Sequence, residues 1–333
     1  MKKRKGLLLL LALAMVAIVV LVGCGKTAPV ASTNAAKPGN AAAPAPTEVK
    51  SLVDQFKDTG HAKYFTLQVA KGPEGTAAGH YGDSCISCHS AVKMMDDKNA
   101  KLADFFPGGK YAGKTEGISC RVCHKMGNGD KDNVFSLQKE GWSSCGDCHT
   151  GTPKLGSKVN HPQNEFIKGI APQGGTVKDM PSAKFQMKDF SCQDCHVTNS
   201  TKHDFLVPGV TSIHDEKDPV NRVSTKVDYS KMVTMFDQKK CQTCHASNAQ
   251  DTVNKMKQQQ EEIGSKLKAL EDLSKSLEAK VKDLPKDDPK LQAYNNGITY
   301  FSYVEGDSSK GIHNYPFAKA LLEAAENEWK KVQ

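Results

Sequence analysis

Apolar residues are spread unevenly along the 333-residue chain. Gly6 to Val22 is a continuous apolar run behind Lys2, Lys3, Arg4 and Lys5, and it closes on Leu21-Val22-Gly23-Cys24. A basic start, an apolar core and a small residue ahead of a cysteine have the form of a lipoprotein export signal. Residues 1–23 are therefore expected to be removed and Cys24 to carry lipid. The competing reading is an uncleaved anchor, for which about 17 apolar residues is the lower limit. Both readings carry the rest of the chain out of the cytoplasm, to a lipid anchorage on the cell membrane or an outer membrane, facing the periplasm or the cell exterior. Residues 24–50 then lose nearly all large apolar side chains and fill with Ala, Pro, Thr, Ser and Asn. That composition suits a semi-extended tether, on the order of 70 Å at about 3 Å per residue, or simply a leader without a reaching role.

From 51 to 250 no apolar period is sustained, and Gly-, Pro-, Asn- and Lys-containing stretches such as Pro107 to Thr115 and Gly127 to Asn133 predict loops. The pattern changes at Thr252. Met256, Ile263, Leu267, Leu270, Leu273, Leu277, Val281 and Leu284 follow helical spacing, and Pro285 and Pro289 stop it, so a long helix is predicted over Thr252 to Leu284. Further helices are predicted over Leu291 to Val304 and Pro316 to Val332. The heptad-like stripe fits either a coiled-coil homo-oligomer or an antiparallel hairpin packed on its own domain. The chain thus divides into a signal (1–23), a tether (24–50), a central domain (51–250) and a C-terminal helical region (251–333).

Composition exposes a deficit. Aromatics are 7% and mean hydropathy is −0.51, poor material for a core of this size. The cysteines supply the explanation. Apart from Cys24, every cysteine falls in a Cys-x-x-Cys-His pentapeptide: Cys85/Cys88/His89, Cys120/Cys123/His124, Cys145/Cys148/His149, Cys192/Cys195/His196 and Cys241/Cys244/His245. This is the attachment pattern of haem c, in which two thiols bond the porphyrin and the adjacent imidazole ligates iron. Zinc sites pool cysteines in fours without requiring a histidine after each pair, and a disulfide framework would not fix the same gap five times. Five covalent haem c groups are expected, each adding an apolar plate to a haem-packed core. One helical turn under each motif would aim both thiols and the imidazole at one porphyrin. The gaps between motifs are unequal, which excludes a tandem-repeat array.

The cofactors also reverse the charge. The formal +8 includes the basic signal residues, and without them the polypeptide is near about +4. Ten propionates bring the loaded protein to about −6 when reduced, and about one positive charge at each oxidised iron centre returns it to about −1. The basicity therefore gives no reason to expect nucleic acid as a partner.

What fills the second axial position decides function. Two histidines close the iron for electron transfer, whereas an open face can bind a small substrate. The histidines outside the motifs are His61, His80, His161, His203, His214 and His313, enough for five haems with one to spare. Methionines are weaker competitors. Asn160-His-Pro-Gln-Asn-Glu165-Phe, the fourth motif followed by Lys202-His203-Asp204-Phe205, the fifth motif, a long helical hairpin and Gly311-Ile-His313-Asn-Tyr-Pro316 occur in an order that resembles the pentahaem ammonia-forming cytochrome c nitrite reductases. The resemblance covers roughly Cys120 to Val332. It implies a mainly α multihaem cytochrome c fold with long loops, closely packed haems and a C-terminal long helical hairpin. It also implies that His203 and His313 are distal ligands, and it marks His161 as the spare, because that position lies near the family's active site.

The departures from the family concern catalysis. The first motif ends in His89 where the reductases use lysine. His149 is followed by Thr150-Gly151-Thr152-Pro153 without the catalytic tyrosine, and Gly169-Ile170-Ala171-Pro172 stands where a Gly-Ile-His is expected. Multi-electron reduction needs such proton donors and anion stabilisers in place. The expected function is single-electron transfer through bis-histidine haems between a membrane-side donor and an external acceptor or partner cytochrome. The alternative is a reductase of nitrite, hydroxylamine or a similar oxidant at one open haem.

Overall fold

A computed structural model of the chain describes residues 51–125, 136–139, 141–151, 153–181, 191–197, 203–214, 222–237, 241–242, 245 and 247–333, without the side chains of 212–214 and 222–224. The signal and Cys24, the tether, the Gly127 to Asn133 loop and Cys244 lie outside the described residues. The described part belongs to one compact unit, Lys50–Gln333.

Short helices lead in: α1 (Leu52–Lys57), α2 (Gly60–Ala70), α3 (Gly72–Ala78) and α4 (Asp83–His89). Ser51 and Thr59 cap α1 and α2, their side chains accepting from Asp54 N and Ala62 N. Pro107 to Thr115 is turn and irregular chain, as its composition predicts. Then come α5 (Cys120–Cys123), α6 (Ser143–Gly146), α7 (Gln163–Lys168) and α8 (Gln193–His196), none longer than two turns. A two-stranded antiparallel ribbon follows, β1 (Val210–His214) on β2 (Arg222–Val227), with Val210 opposite Val227 and a register irregularity between Ile213 and His214. The sequence reading assigns no strand here. Both segments are too short to show a period clearly, yet they are rich in β-branched residues. After α9 (Tyr229–Met232) the chain enters three long helices, α10 (Ala249–Val281), α11 (Pro289–Asp307) and α12 (Tyr315–Lys330). Their bounds differ from the predicted ones by a few residues, because capping by Asp288 and Asn314 sets them and not the apolar stripe.

The stripe on α10 is spent inside the chain. Ile263, Leu270, Leu277 and Val281 are at most 3% exposed and pack with Tyr300, Tyr303 and Val304 of α11 and Phe317, Leu321, Leu322 and Trp329 of α12. Pairs such as Ser274 with Tyr294, 3.3 Å apart, show α11 running back along α10. No second chain is needed to cover the stripe. Polar residues on α11 secure the preceding loops: Thr299 Oγ1 accepts from Gly156 N at 2.9 Å, Ser302 Oγ from Val159 N at 3.0 Å and Tyr300 OH from Thr176 N at 2.8 Å. Tyr303 OH donates to Ile170 O at 2.6 Å.

Two smaller apolar clusters are separate from this one. One joins Phe65 of α2, Ile86 of α4, Tyr81, Val92, Leu102, Phe105 and Phe106; the other joins Met232, Met235, Phe236, Cys241 and Val253, with Val210 and Val227 packed against it. Among the described residues, no helix is long and apolar enough to cross a membrane.

Gly297 on α11 is a tight point of the large core, since a Cβ there would lie 2.2 Å from Trp329 Nε1. Gly297→Ala gains about 1 kcal/mol of helix propensity but meets overpacking that costs about 1–3 kcal/mol. The expected outcome is a lower thermal midpoint, followed by circular dichroism on the haem-loaded protein.

Candidate haem-binding site

Four of the motifs start or lie within single helical turns. Cys85 and Cys88 sit on α4, held by Ile86 in the cluster below and by Asp83 Oδ1, which accepts from Leu102 N at 2.6 Å. Cys120 and Cys123 form the ends of α5, and its Arg121 guanidinium bridges Asp96 (2.6 and 2.8 Å) and Glu116 (2.6 Å). Cys145 lies on α6 and Cys148 just beyond it, while Cys192 caps α8 and Cys195 lies on it. In each of these motifs the histidine follows at the end of the turn, and His124, His149 and His196 return their N–H groups to the carbonyls of Cys120, Cys145 and Cys192. For the fifth motif the structure describes Cys241, buried in the cluster around Phe236, and His245.

Sequence separation gives no hint of how the histidines assemble. The rings of His89 and His161 stand 6.1 Å apart, those of His124 and His203 6.0 Å, those of His149 and His61 5.9 Å, and those of His196 and His313 6.3 Å. Every one of these pairs joins one motif histidine to one histidine outside the motifs. His161 also lies 6.3 Å from His149. An imidazole nitrogen bonds a transition metal at about 2 Å and lies about 1.1 Å from its ring centre, so two rings on opposite sides of one metal are about 6.2 Å apart. The donor sets therefore fit haem c: two thiols and an imidazole in one turn, with a second imidazole at the ligation spacing.

Loss of water disfavours the charged form of six of these rings. Burial, reinforced by His149 and His89, lowers His61 to about 4, and burial with His161 and His149 lowers His89 to about 4. Burial likewise lowers His149, His161, His196 and His203. A neutral ring has the free lone pair a metal requires. Ring partners differ. Nδ1 of His149 is 3.2 Å from Gln163 Oε1, that of His196 3.0 Å from Phe205 O, and that of His245 3.2 Å from Asn248 Oδ1. Nδ1 of His313 is 2.6 Å from Asp307 Oδ1, while the buried Nδ1 atoms of His89 and His203 have no hydrogen-bond partner. His80 is exposed, at φ +54°. His214 is the last residue of β1, and its side chain lies outside the description.

The motifs also touch one another. A thiol hydrogen bond from Cys148 lowers Cys88, and one from Cys192 lowers Cys145, while both donors are pushed up. Gln193 Nε2 donates to Ser144 Oγ at 2.5 Å. The third motif thus borders both the first and the fourth.

No protein-family model and no curated protein matches the chain. Solved structures do. The outer cell wall cytochrome OcwA aligns with 84% of this chain and 50% of its own, at 24% identity and a TM-score of 0.56. The undecahaem cytochrome from the S-layer of Carboxydothermus ferrireducens aligns with 82% of this chain and 40% of its own, at 21% identity and a TM-score of 0.51. The cytochrome c nitrite reductase of Desulfovibrio desulfuricans aligns over 75% of this chain and 64% of its own, at 14% identity and a TM-score of 0.49, below the level that marks a common fold. The chain has the fold of a multihaem c-type cytochrome. It spans about half the length of the first of these cytochromes and less of the second.

The depressed histidines fix a pH dependence. His61 and His89 stay neutral when folded down to about 4, while their unfolded forms take up protons near 6.5. Their contribution is fully present above 6.5 and is lost as pH falls from 6.5 toward 4, and metal ligation acts in the same direction. Denaturant midpoints measured across pH 4–8 are expected to be flat above 6.5 and to fall below it.

Proposed function

We propose that the chain is an exported, lipid-anchored pentahaem cytochrome that carries single electrons between a membrane-side donor and an external acceptor or partner cytochrome. The observation behind this reading is the pairing of four motif histidines with four others at 5.9–6.3 Å. Haem c held in such a pair supplies a one-electron couple with both axial positions closed to substrate. The chain's own residues do the rest. The motif cysteines fix each group covalently, and paired imidazoles hold it from both sides.

In this assignment His161 serves the first motif, because His149 already faces His61 at 5.9 Å. His161 then occupies the face that the resembled reductases keep open, and it is not a spare. His203 serves the second motif, His61 the third and His313 the fourth. His80 and His214 remain for His245. Val210 of β1 packs against the cluster that holds Cys241, whereas His80 adjoins Tyr81 in the cluster around the first motif, which favours His214. Residues 51–250 thus carry every motif, and the region 251–333 braces them and returns one ligand. Contact of the third motif with the first and fourth keeps the held groups near one another, as transfer between them requires.

Cys24 as the lipidated residue and residues 24–50 as a tether would give the domain reach from a membrane surface. Two fold neighbours named for the outer cell wall and the S-layer support an exported setting.

Intact mass of the purified protein is expected to give five haems. His61→Ala, His161→Ala, His203→Ala and His313→Ala should each convert one ferric haem from low to high spin, by EPR and resonance Raman, with covalent haem retained. A high-spin haem in the unaltered protein, together with nitrite-dependent oxidation of the reduced form, would replace electron transfer by the reductase reading.

A further inference from the structure

Asp307 is the last residue of α11, and its side chain is fully buried. A carboxylate at a helix C-terminus faces the negative end of the macrodipole, and burial adds a desolvation cost. Among the described residues its one ion-pair partner is His313. Nδ1 of His313 donates to Oδ1 at 2.6 Å, while Oδ2 accepts from Ser309 N at 3.3 Å and from Ser309 Oγ. The connecting turn is shaped for this contact. Ser308, Lys310 and Gly311 have φ of +61°, +51° and +86°, the first two being unfavourable for residues with a side chain, and Ser309 Oγ also accepts from His313 N at 3.2 Å. Of His89, His149, His196, His203, His245 and His313, only His313 meets a carboxylate. The others meet neutral oxygens or, at His89 and His203, nothing.

We propose that Asp307 is a tuning residue that lowers the midpoint potential of the haem between His196 and His313. This rests on the assignment of His313 as a ligand. With Nε2 toward iron, Nδ1–H donation to a carboxylate shifts negative charge onto the ring, and a more basic imidazole favours ferric over ferrous iron, which has one positive charge fewer. Burial strengthens the effect by excluding the water that would screen it. The fourth site borders the third, where His149 is backed by the amide of Gln163, so a difference between the two potentials sets the direction of downhill transfer between neighbours.

The test is a spectroelectrochemical titration of the full haem-loaded protein. Asp307→Asn should raise the midpoint of one haem and leave the other four in place, with all irons low-spin. Ser309→Ala, which removes the hydroxyl donor that competes for the carboxylate, should move the same midpoint down. Unmoved midpoints in Asp307→Asn overturn the proposal. If Asp307→Asn instead loses haem or turns high-spin, Ser309→Ala decides: a downward shift supports tuning, and no shift or an upward one overturns it. The ligand assignment is tested separately, since it fails if His313→Ala leaves every haem low-spin, whatever Asp307 does.

Discussion

The structure depends on gathering titratable rings, partly withdrawn from water, without charging them. An imidazole withdrawn from water, with a lone pair or an Nδ1 left unsatisfied, costs free energy that apolar packing does not return. Here six such rings, most of them half-buried, are depressed below the ordinary imidazole range by loss of water, and two have a buried nitrogen without a hydrogen-bond partner. Edge-on contact between aromatic rings also occurs at 5–6 Å, so the spacing of any one pair decides little. The consistency decides: each pair takes one ring from a motif and one from elsewhere. In the proposed assignment, metal ligation would offset the cost of withdrawing these rings from water, because it would use their free lone pairs.

That constraint explains why the apolar residues fall into three separate clusters. The largest is made by α10, α11 and α12 and needs only polypeptide, with Tyr300, Phe317, Leu321 and Trp329 almost fully buried. The other two are small and sit beside motifs, with Ile86 adjacent to Cys85 and Cys241 within its own cluster. Most of the described motif cysteines are only half-buried, while Cys241 is buried. Loops preceding the long helices are fastened to α11 by Thr299, Ser302, Tyr300 and Tyr303, which gives a chain poor in hydrophobic residues a fixed frame.

The Cys-x-x-Cys-His pattern was legible in the sequence because it is local: five residues contain both thiols and one imidazole. The long helices were legible for the same reason, since Ile263, Leu270 and Leu277 repeat at helical spacing. The ribbon β1–β2 was not, because its stability comes from pairing Val210 with Val227 and from packing on Met232 and Phe236. The second imidazoles lie between those extremes. Six histidines could be named as candidates, but His61 meets His149 and His161 meets His89 only through folding. His161 illustrates the difference. The resemblance marks it as the spare, and its ring stands 6.1 Å from that of His89 and 6.3 Å from that of His149. Asp307 left no sequence signal at all, since an acid six residues before a histidine is unremarkable until a turn brings the two together.

The uneven core has a consequence for how the protein is made. A chain is synthesised from its N-terminus, and the three helices that can solidify on polypeptide contacts alone come last. Every thiol of the five motifs emerges before them. The motif cysteines thus all precede the helices that pack on polypeptide alone, and α10 begins four residues after His245. A chain emerging in this order exposes its cysteine pairs before the bracing helices exist.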